Sequence, residues 1–323
     1  MKKSTKTILI ISLCMVFAGV FICGSVIFMA GFDFNRLSSV TYKERTVTSD
    51  EAFLNVDVYS QSADISVFPS TNDEWRVEST EADKMYHQIA VEDDTLIIRR
   101  VDEREWYEYI GINFSFKTES IRLYLPEKLY ESVELKNTSG KVIVNEGLNC
   151  EKLLAESTSG EVRVYTTQAK DDIVAKSISG QVSVNAVNTQ KLYVSSTSGR
   201  VTVSNITDVD SVNINATSGK IEAIDISCID FSAGNVSGGV TCSGVIAEDT
   251  ITAETTSGSI KVLQSDAQNL TLKSTSGSIR GTLLSDKIFI TDTVSGSVDV
   301  PHTSQGGVCS AKTTSGSIDI KIQ

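Results

Sequence analysis

From Asn137 onward, apolar and polar residues alternate in short runs, and the runs return at a fixed interval. In "NTSGKVIV", "ESTSGEVRV", "SISGQVSV" and "STSGRVTV" a Ser-Gly pair precedes two apolar residues with a polar one between them. The glycines are Gly140, Gly160, Gly180, Gly199, Gly219, Gly238, Gly258, Gly277, Gly296 and Gly316, spaced 19 or 20 residues apart. Ten copies at one period mark a stacked-repeat architecture. Offsets +2 and +4 from the glycine are apolar, as in Val162 and Val164 or Ile318 and Ile320, while Arg163, Ser183, Thr202 and Lys261 lie between such pairs. A period of 2 reads as a half-buried strand, not a helix. A second alternation precedes each glycine at offsets −7 and −5: Leu153 and Ala155, Ile173 and Ala175, Leu192 and Val194. Each unit is thus two short strands, a tight corner and a looser connection of about eight residues.

No single unit can bury its apolar pairs, so the units must stack. The pattern predicts an all-β, single-stranded β-solenoid, parallel β-helix-like, of ten coils of about 19–20 residues. Its strands run parallel from coil to coil. The corner glycines are expected to supply a positive φ that other residues resist. The serine before each is expected to bond backbone at the corner or the serine one coil away. Offset −3 shares the inward face and holds small residues, mostly polar, among them Asn137, Ser157, Ser177, Thr255 and Thr313. They predict a hydrogen-bonded ladder inside the corner. A catalytic serine elbow makes no sense in ten copies.

The N-terminus differs. "ILIISLCMVFAGVFICGSVIFMAGF", Ile8 to Phe32, has no charged residue and exceeds the roughly 20 residues needed to cross a bilayer. It reads as a retained single-pass anchor following a short tail with Lys2, Lys3 and Lys6. The bulk of the chain is then expected outside the cytoplasm. Neither Cys14 nor Cys23 follows a small residue, which disfavours lipidation. The organisation expected is a cytoplasmic tail and transmembrane anchor (1–32), a linker (33–49), an N-terminal β segment or cap (50–135) and the solenoid repeats (136–323).

Charge narrows the partners. Residues 33–138 carry 22 Asp and Glu against 12 Lys and Arg, and the whole chain has a formal charge of −12. Such a surface disfavours nucleic acid and anionic lipid. Cys242 and Cys309 fall on inward positions and read as small core residues. Cys150 and Cys228 lie four coils apart, too far to bridge. There is no disulfide framework and no Cys-x-x-Cys spacing.

The order of these parts has a familiar form: an N-terminal membrane helix, then "ADISVFPS", then "IRLYLPEKLYESVELKNTSGKVIV", then Ser-Gly strand repeats. It resembles the bacterial β-strand-repeat family of unknown function named "putative adhesin". Within that family it looks like the LiaG-type membrane proteins of Gram-positive bacteria. The resemblance covers roughly residues 50–323 and includes no catalytic motif. It implies a cell-envelope location and a link to envelope stress, and it carries over no functional residues.

Candidate chemistry is sparse. His87 and His302 are far apart, and no Ser-His-Asp order or phosphate loop stands out. Asp208 with Asp210, and Glu92-Asp93-Asp94, lack the spacing of a Ca²⁺ loop and read as solvated turns. Polysaccharide lyases and hydrolases built on β-helices cluster carboxylates or basic groups across coils. Here Asp299 and Asp319 fall at neighbouring outward positions, too near the end of the stack to form a cleft. Offset −2 is Thr in seven of ten copies, a ridge beside the corner too narrow for an ice-binding plane. One stretch stands apart, "EREWYEYIGINFSF", with Trp106, Tyr107, Tyr109, Phe114 and Phe116. It is expected to cap the first coil, with Trp106 outward as the candidate for partner binding and Tyr107 and Tyr109 inward. The last strand, "SIDIKIQ", is expected to be an uncovered edge and a route to weak self-association.

The sequence thus reads as a non-enzymatic binding, scaffold or sensor-accessory module, anchored in the membrane with its C-terminal domain extracytoplasmic. No cofactor or metal is expected, and the partners would be an envelope protein or a cell-wall component. The alternative is a polysaccharide-active β-helix enzyme.

Overall fold

The computed structural model describes residues 3–29, 31, 42–82, 84–106 and 118–323. A single helix, α1 (Lys3–Met29), contains a 21-residue stretch, Leu9–Met29, of mean hydropathy 2.6, none of it buried by the rest of the chain. It is long and apolar enough to cross a membrane. Among the described residues everything after it is strand, turn or irregular connection. The first strands are β1 (Tyr42–Ser49), β2 (Asn55–Ser60), β3 (Asp64–Pro69), β4 (Trp75–Ala82), β5 (Met85–Glu92), β6 (Thr95–Asp102) and β7 (Ser120–Leu125). Residues 42–49, expected in a linker, are therefore a strand, paired antiparallel with β4.

The repeats follow as β8 (Leu129–Asn137), β9 (Val142–Val144), β10 (Asn149–Ser157), β11 (Val162–Tyr165), β12 (Gln168–Ser177), β13 (Val182–Asn185) and β14 (Lys191–Ser196). Three long strands then each run around most of a coil: β15 (Val201–Ala216), β16 (Ile221–Asn235) and β17 (Val240–Thr255). The last are β18 (Ile260–Ser265), β19 (Asn269–Ser274), β20 (Ile279–Leu283), β21 (Lys287–Thr293), β22 (Val298–Asp299), β23 (Gly307–Thr313) and β24 (Ile318–Ile322). Pairing between repeats is parallel and in register. Val162 pairs with Val182, Val182 with Val201 and Val201 with Ile221, all fully buried. The looser connection is itself paired in mid-stack, where Ile206 aligns with Ile226 and Ile226 with Val245. Each coil there has three paired segments around one continuous apolar core.

The glycines are required for a reason other than the one expected. None of the ten corner glycines has a positive φ. A Cβ at Gly160 would instead lie well inside 3 Å of the Gly140 carbonyl oxygen, and the same clash recurs at Gly180, Gly199, Gly219 and Gly258 against the glycine one coil earlier. The corners are stacked backbone on backbone, with Ser159 N–H donating to Thr138 O at 2.8 Å and Ser179 N–H to Thr158 O at 2.9 Å. The inner ladder is made by offset −3, as expected. Ser157 Oγ donates to Gly140 O at 3.0 Å and accepts from Gly160 N–H at 2.8 Å, and Ser177, Ser196 and Ser274 repeat the pair. Asn235, Thr255 and Thr313 also donate to the glycine carbonyl of a neighbouring corner. Ala216 interrupts this ladder.

Positive φ belongs to the second corner, six residues after the glycine. Thr166, Ala186, Asn205, Asp225, Gly244 and Gln264 all lie in the left-handed region. Five of the six carry a side chain, which costs about 1–2 kcal/mol in that conformation.

An unannounced corner precedes the ten. Ser60-Gln61-Ser62-Ala63 joins β2 to β3 exactly where a repeat would put its corner, with Asn137 Nδ2 donating to Ala63 O. Ala63 can carry a methyl group because the level before it holds β6 and β7, not another such corner. Beyond these, β4 lies between β1 and β7, and β5 forms a hairpin with β6, all antiparallel. These strands close the N-terminal end.

The other end departs from chain order. β23 pairs with β19 on one side and β21 on the other, and β24 likewise lies between β20 and β22. The coil of Gly316 is thus inserted between the coils of Gly277 and Gly296. The expectation of an open edge at "SIDIKIQ" is wrong for its first half, where Ile318 and Asp319 pair on both sides, with β20 and with β22, while Ile320 is buried but pairs with β20 alone. The outermost coil is residues 284–300. Gly306 and Gly307 permit the return: a Cβ on either would strike the carbonyl of Asp286 or Gln268 in the flanking levels.

Candidate binding surfaces

The N-terminal end is closed by aromatic side chains from short, separate segments. Phe53 meets Trp75 edge-on at 6.1 Å and stacks on Tyr130 at 5.9 Å. Trp75 Nε1 donates to Glu51 O at 3.1 Å and Tyr130 Oη to Pro126 O at 2.9 Å. Lys128 Nζ lies over both the Phe53 and Tyr130 rings. Burial lowers the Lys128 pKa and pushes the Tyr130 phenol well above its usual range.

Next to this plug lies a buried polar cluster. His87, 2% exposed, has no hydrogen-bond partner at either ring nitrogen among the described residues, and its Nδ1 is 3.6 Å from Glu81 Oε1. That oxygen accepts from Ser79 Oγ at 2.7 Å and from His87 N–H at 3.0 Å. Arg45 Nη1 stands 3.7 Å from it and donates to His87 O. Arg100 reaches Glu119 at 3.6 Å and Gln61 at 2.9 Å, and Ser62 Oγ donates to Glu119 at 2.6 Å. Loss of solvation on burial lowers the His87 pKa, and the carboxylates of Glu81 and Glu119 work against that shift. Among the described residues no group of three His, Cys, Asp or Glu could hold a metal ion.

The outer face of the same end is polar. Phe68 stacks on Tyr124 at 5.3 Å, the Arg76 guanidinium lies 4.1 Å over the Tyr124 ring, and Tyr124 Oη donates to Glu78. A cavity of about 290 Å³ opens here between Arg76, Tyr124, Ser70 and Asn72, and one of about 360 Å³ opens between Glu78, Arg122, Thr80 and Thr46. Trp106 is on the surface, 72% exposed. Tyr107, Tyr109, Phe114 and Phe116 lie outside the described residues. Among the described residues the end is closed by Trp75, Phe53 and Tyr130, none of which the sequence pattern singled out.

Along the stack, chemistry repeats in outward columns. The offset −2 threonines Thr158, Thr197, Thr217, Thr256 and Thr275 are exposed, with the corner serines beside them. Next to this column runs a shallow groove of about 360 Å³ lined by Asn215, Glu254, Lys273 and Thr256, deepened where Gly234 lacks a side chain. Asp299 and Asp319 are in register on adjacent strands, with Arg280 on the next strand. Glu92-Asp93-Asp94 belongs to the β5–β6 hairpin turn, where both aspartates have positive φ. Cys242 and Cys309 lie in the core as expected, and Cys150 and Cys228 are buried as well; all four are free thiols whose pKa burial pushes up to about 12. Nothing there is poised as a nucleophile.

Comparison with known proteins agrees with this architecture. The model of the family described as Toastrack DUF4097 matches residues 53–223 and 206–323. Among solved structures, a "putative adhesin" from Parabacteroides distasonis is similar at 12% identity and a TM-score of 0.50, over 88% of this chain and 97% of that one. Another from Bacteroides fragilis aligns at 19% identity and a TM-score of 0.45, over 87% of this chain and 97% of its own. A "putative lipid binding protein" from P. distasonis aligns at 15% identity and a TM-score of 0.48, over 88% and 98%. At 12% identity the first of these likenesses shows the fold alone. No curated protein matches the chain.

Proposed function

The chain belongs to the Toastrack DUF4097 family, and from that premise we propose that it is a membrane-anchored, extracytoplasmic binding module of the cell envelope. The observation that carries this reading is the coupling of two unlike parts. One is an apolar helix, Leu9–Met29, no part of which is buried among the described residues. The other is a parallel stack whose corners are joined by an inner ladder of side-chain hydrogen bonds and whose outward groups repeat from coil to coil. A helix of 21 apolar residues in water exposes far more apolar surface than a soluble protein tolerates, and a bilayer is the solvent that suits it. A rod of about 50 Å, from ten steps of about 4.8 Å, then holds its surface columns at fixed spacing from the membrane. The Bacteroidetes proteins named as adhesins are in keeping with binding rather than turnover.

Cells expressing the chain with a C-terminal epitope test the placement. The epitope is expected to be cleaved by protease added to intact spheroplasts, and the chain to stay with the membrane after carbonate washing. An epitope protected until lysis would reverse the orientation. Release of the full stack into the medium would make α1 a cleaved signal. For binding against catalysis, the test is incubation with wall polysaccharides. Retention without release of fragments is expected. Fragment release lost in Asp299→Asn and Asp319→Asn would establish an enzyme instead.

A further inference from the structure

The two ends of the stack are finished differently. At the N-terminal end, antiparallel strands and the Phe53, Trp75 and Tyr130 rings close the core. At the far end, among the described residues, β21 pairs only with β23 and β22 only with β24. The outer edge of β21 therefore presents backbone N–H and C=O groups to which no strand is paired. Ile288, Ile290, Val294 and Val298 are exposed on this coil, and Phe289 and Val300 are only half covered where they meet the core.

Proteins ordinarily blunt such an edge with lysine, proline or a bulge. Lys287 is the one Lys or Arg in residues 284–300, and it is turned inward. It is 3% exposed, with its Nζ 2.6 Å from Asp266 and 2.5 Å from Ser285 Oγ. The nearest proline, Pro301, lies after the coil. The charges left at the surface of these residues are Asp286, Asp292 and Asp299, all negative.

We propose that this terminal coil binds an extended segment of a partner polypeptide, which adds a strand to the β21 edge and carries apolar side chains alternating with Lys or Arg. Main-chain hydrogen bonds to the open edge would hold the segment whatever its sequence, and the side chains on its two faces would select it. The inward side chains meet Phe289 and Val300 and complete the core. The outward ones meet Asp286 and Asp292, their aliphatic stems lying over Ile288 and Ile290. Charge decides against a second copy as occupant, because pairing two β21 edges would bring the aspartates of both chains together. The inference depends on the order of the last coils and not on where the membrane lies.

The test uses the full chain in nanodiscs and three labelled peptides, read by fluorescence anisotropy. They are an alternating Val/Lys peptide, its Val/Glu counterpart, and the Val/Lys peptide methylated on every backbone nitrogen. The Val/Lys peptide is expected to bind at least about tenfold more tightly than either control, a difference of about 1.4 kcal/mol. Asp292→Lys and Ile290→Lys, both at exposed outward positions, are expected to weaken it by a similar factor with unchanged melting. Equal binding of the methylated or the Val/Glu peptide would overturn the proposal. So would affinity that both variants leave intact, or a peptide-free dimer that Ile290→Lys dissolves.

Discussion

At Gly219 one methyl group is enough to separate two explanations of the repeat. A corner that needed positive φ would accept asparagine or aspartate at modest cost. A corner whose Cβ position is filled by the carbonyl of Gly199 accepts nothing. Gly219→Asn is therefore expected to cost at least about 2 kcal/mol, while Thr241→Ala on the outward face stays within about 0.5 kcal/mol. Equal denaturation midpoints would remove the stacked-corner account. The second corner makes the opposite prediction. Thr166 holds φ +42° with its side chain exposed, so Thr166→Gly relieves strain and should raise stability by up to about 1 kcal/mol, the lower end of the left-handed penalty. A loss on that substitution would show that the threonine side chain contributes more than its conformation costs.

His87 adds a pH dependence. Its folded pKa lies below the ordinary value near 6.5 because burial penalises the imidazolium. Between the folded and unfolded values the unfolded chain binds the extra proton, so stability falls as pH drops below about 6.5. In melting curves from pH 7.5 to 5.5, His87→Gln should lose less than the parent chain. An identical loss in both would place the acid sensitivity elsewhere.

Among the elements, β24 separates what could be read in sequence from what could not. The alternation in "SIDIKIQ" identifies the strand and its inward pair, Ile318 and Ile320, and both are buried. Its neighbours were not legible, because "VSGSVDV" and "TSGSIDI" carry the same pattern and either coil satisfies either position. The clue was the Gly306-Gly307 pair, needed only where a returning chain is squeezed between two levels. Ser60-Gln61-Ser62-Ala63 stayed hidden for a similar reason, since a corner with nothing like it on its N-terminal side can dispense with glycine. The Glu81, His87, Arg100 and Glu119 cluster joins β4, β5, β6 and the segment before β7, and no local period reports such a meeting. Placement between β20 and β22 makes β24 internal at Ile318 and Asp319, so Ile318→Pro, which removes the N–H that donates to Ser297 O and an inward side chain, is expected to lower the melting temperature sharply. Val298→Ala, in the outermost coil at an exposed site, should change it little. Comparable small shifts from both would return β24 to the edge.

For the whole molecule, the account describes a rod closed at the end nearest the apolar helix and open at a tip made by residues 284–300. That tip exists only because the coil of Gly316 is inserted below the coil of Gly296. The offset −2 residues report this order directly, since Thr314 N–H donates to Thr275 O at 3.2 Å and Ser295 N–H to Thr314 O at 3.0 Å. Neighbouring positions in a parallel ladder lie about 4.8 Å apart, within the span of a disulfide, whereas positions two levels apart exceed the limit of about 7 Å. The most direct measurement is oxidative crosslinking of paired cysteines in the full chain, with the exposed Cys14 and Cys23 replaced by serine. The inserted order predicts a rapid disulfide in Thr275→Cys with Thr314→Cys and none in Thr275→Cys with Val294→Cys. The reverse result would restore chain order, bury the coil of residues 284–300, and contradict both the open tip and the strand-binding edge assigned to it.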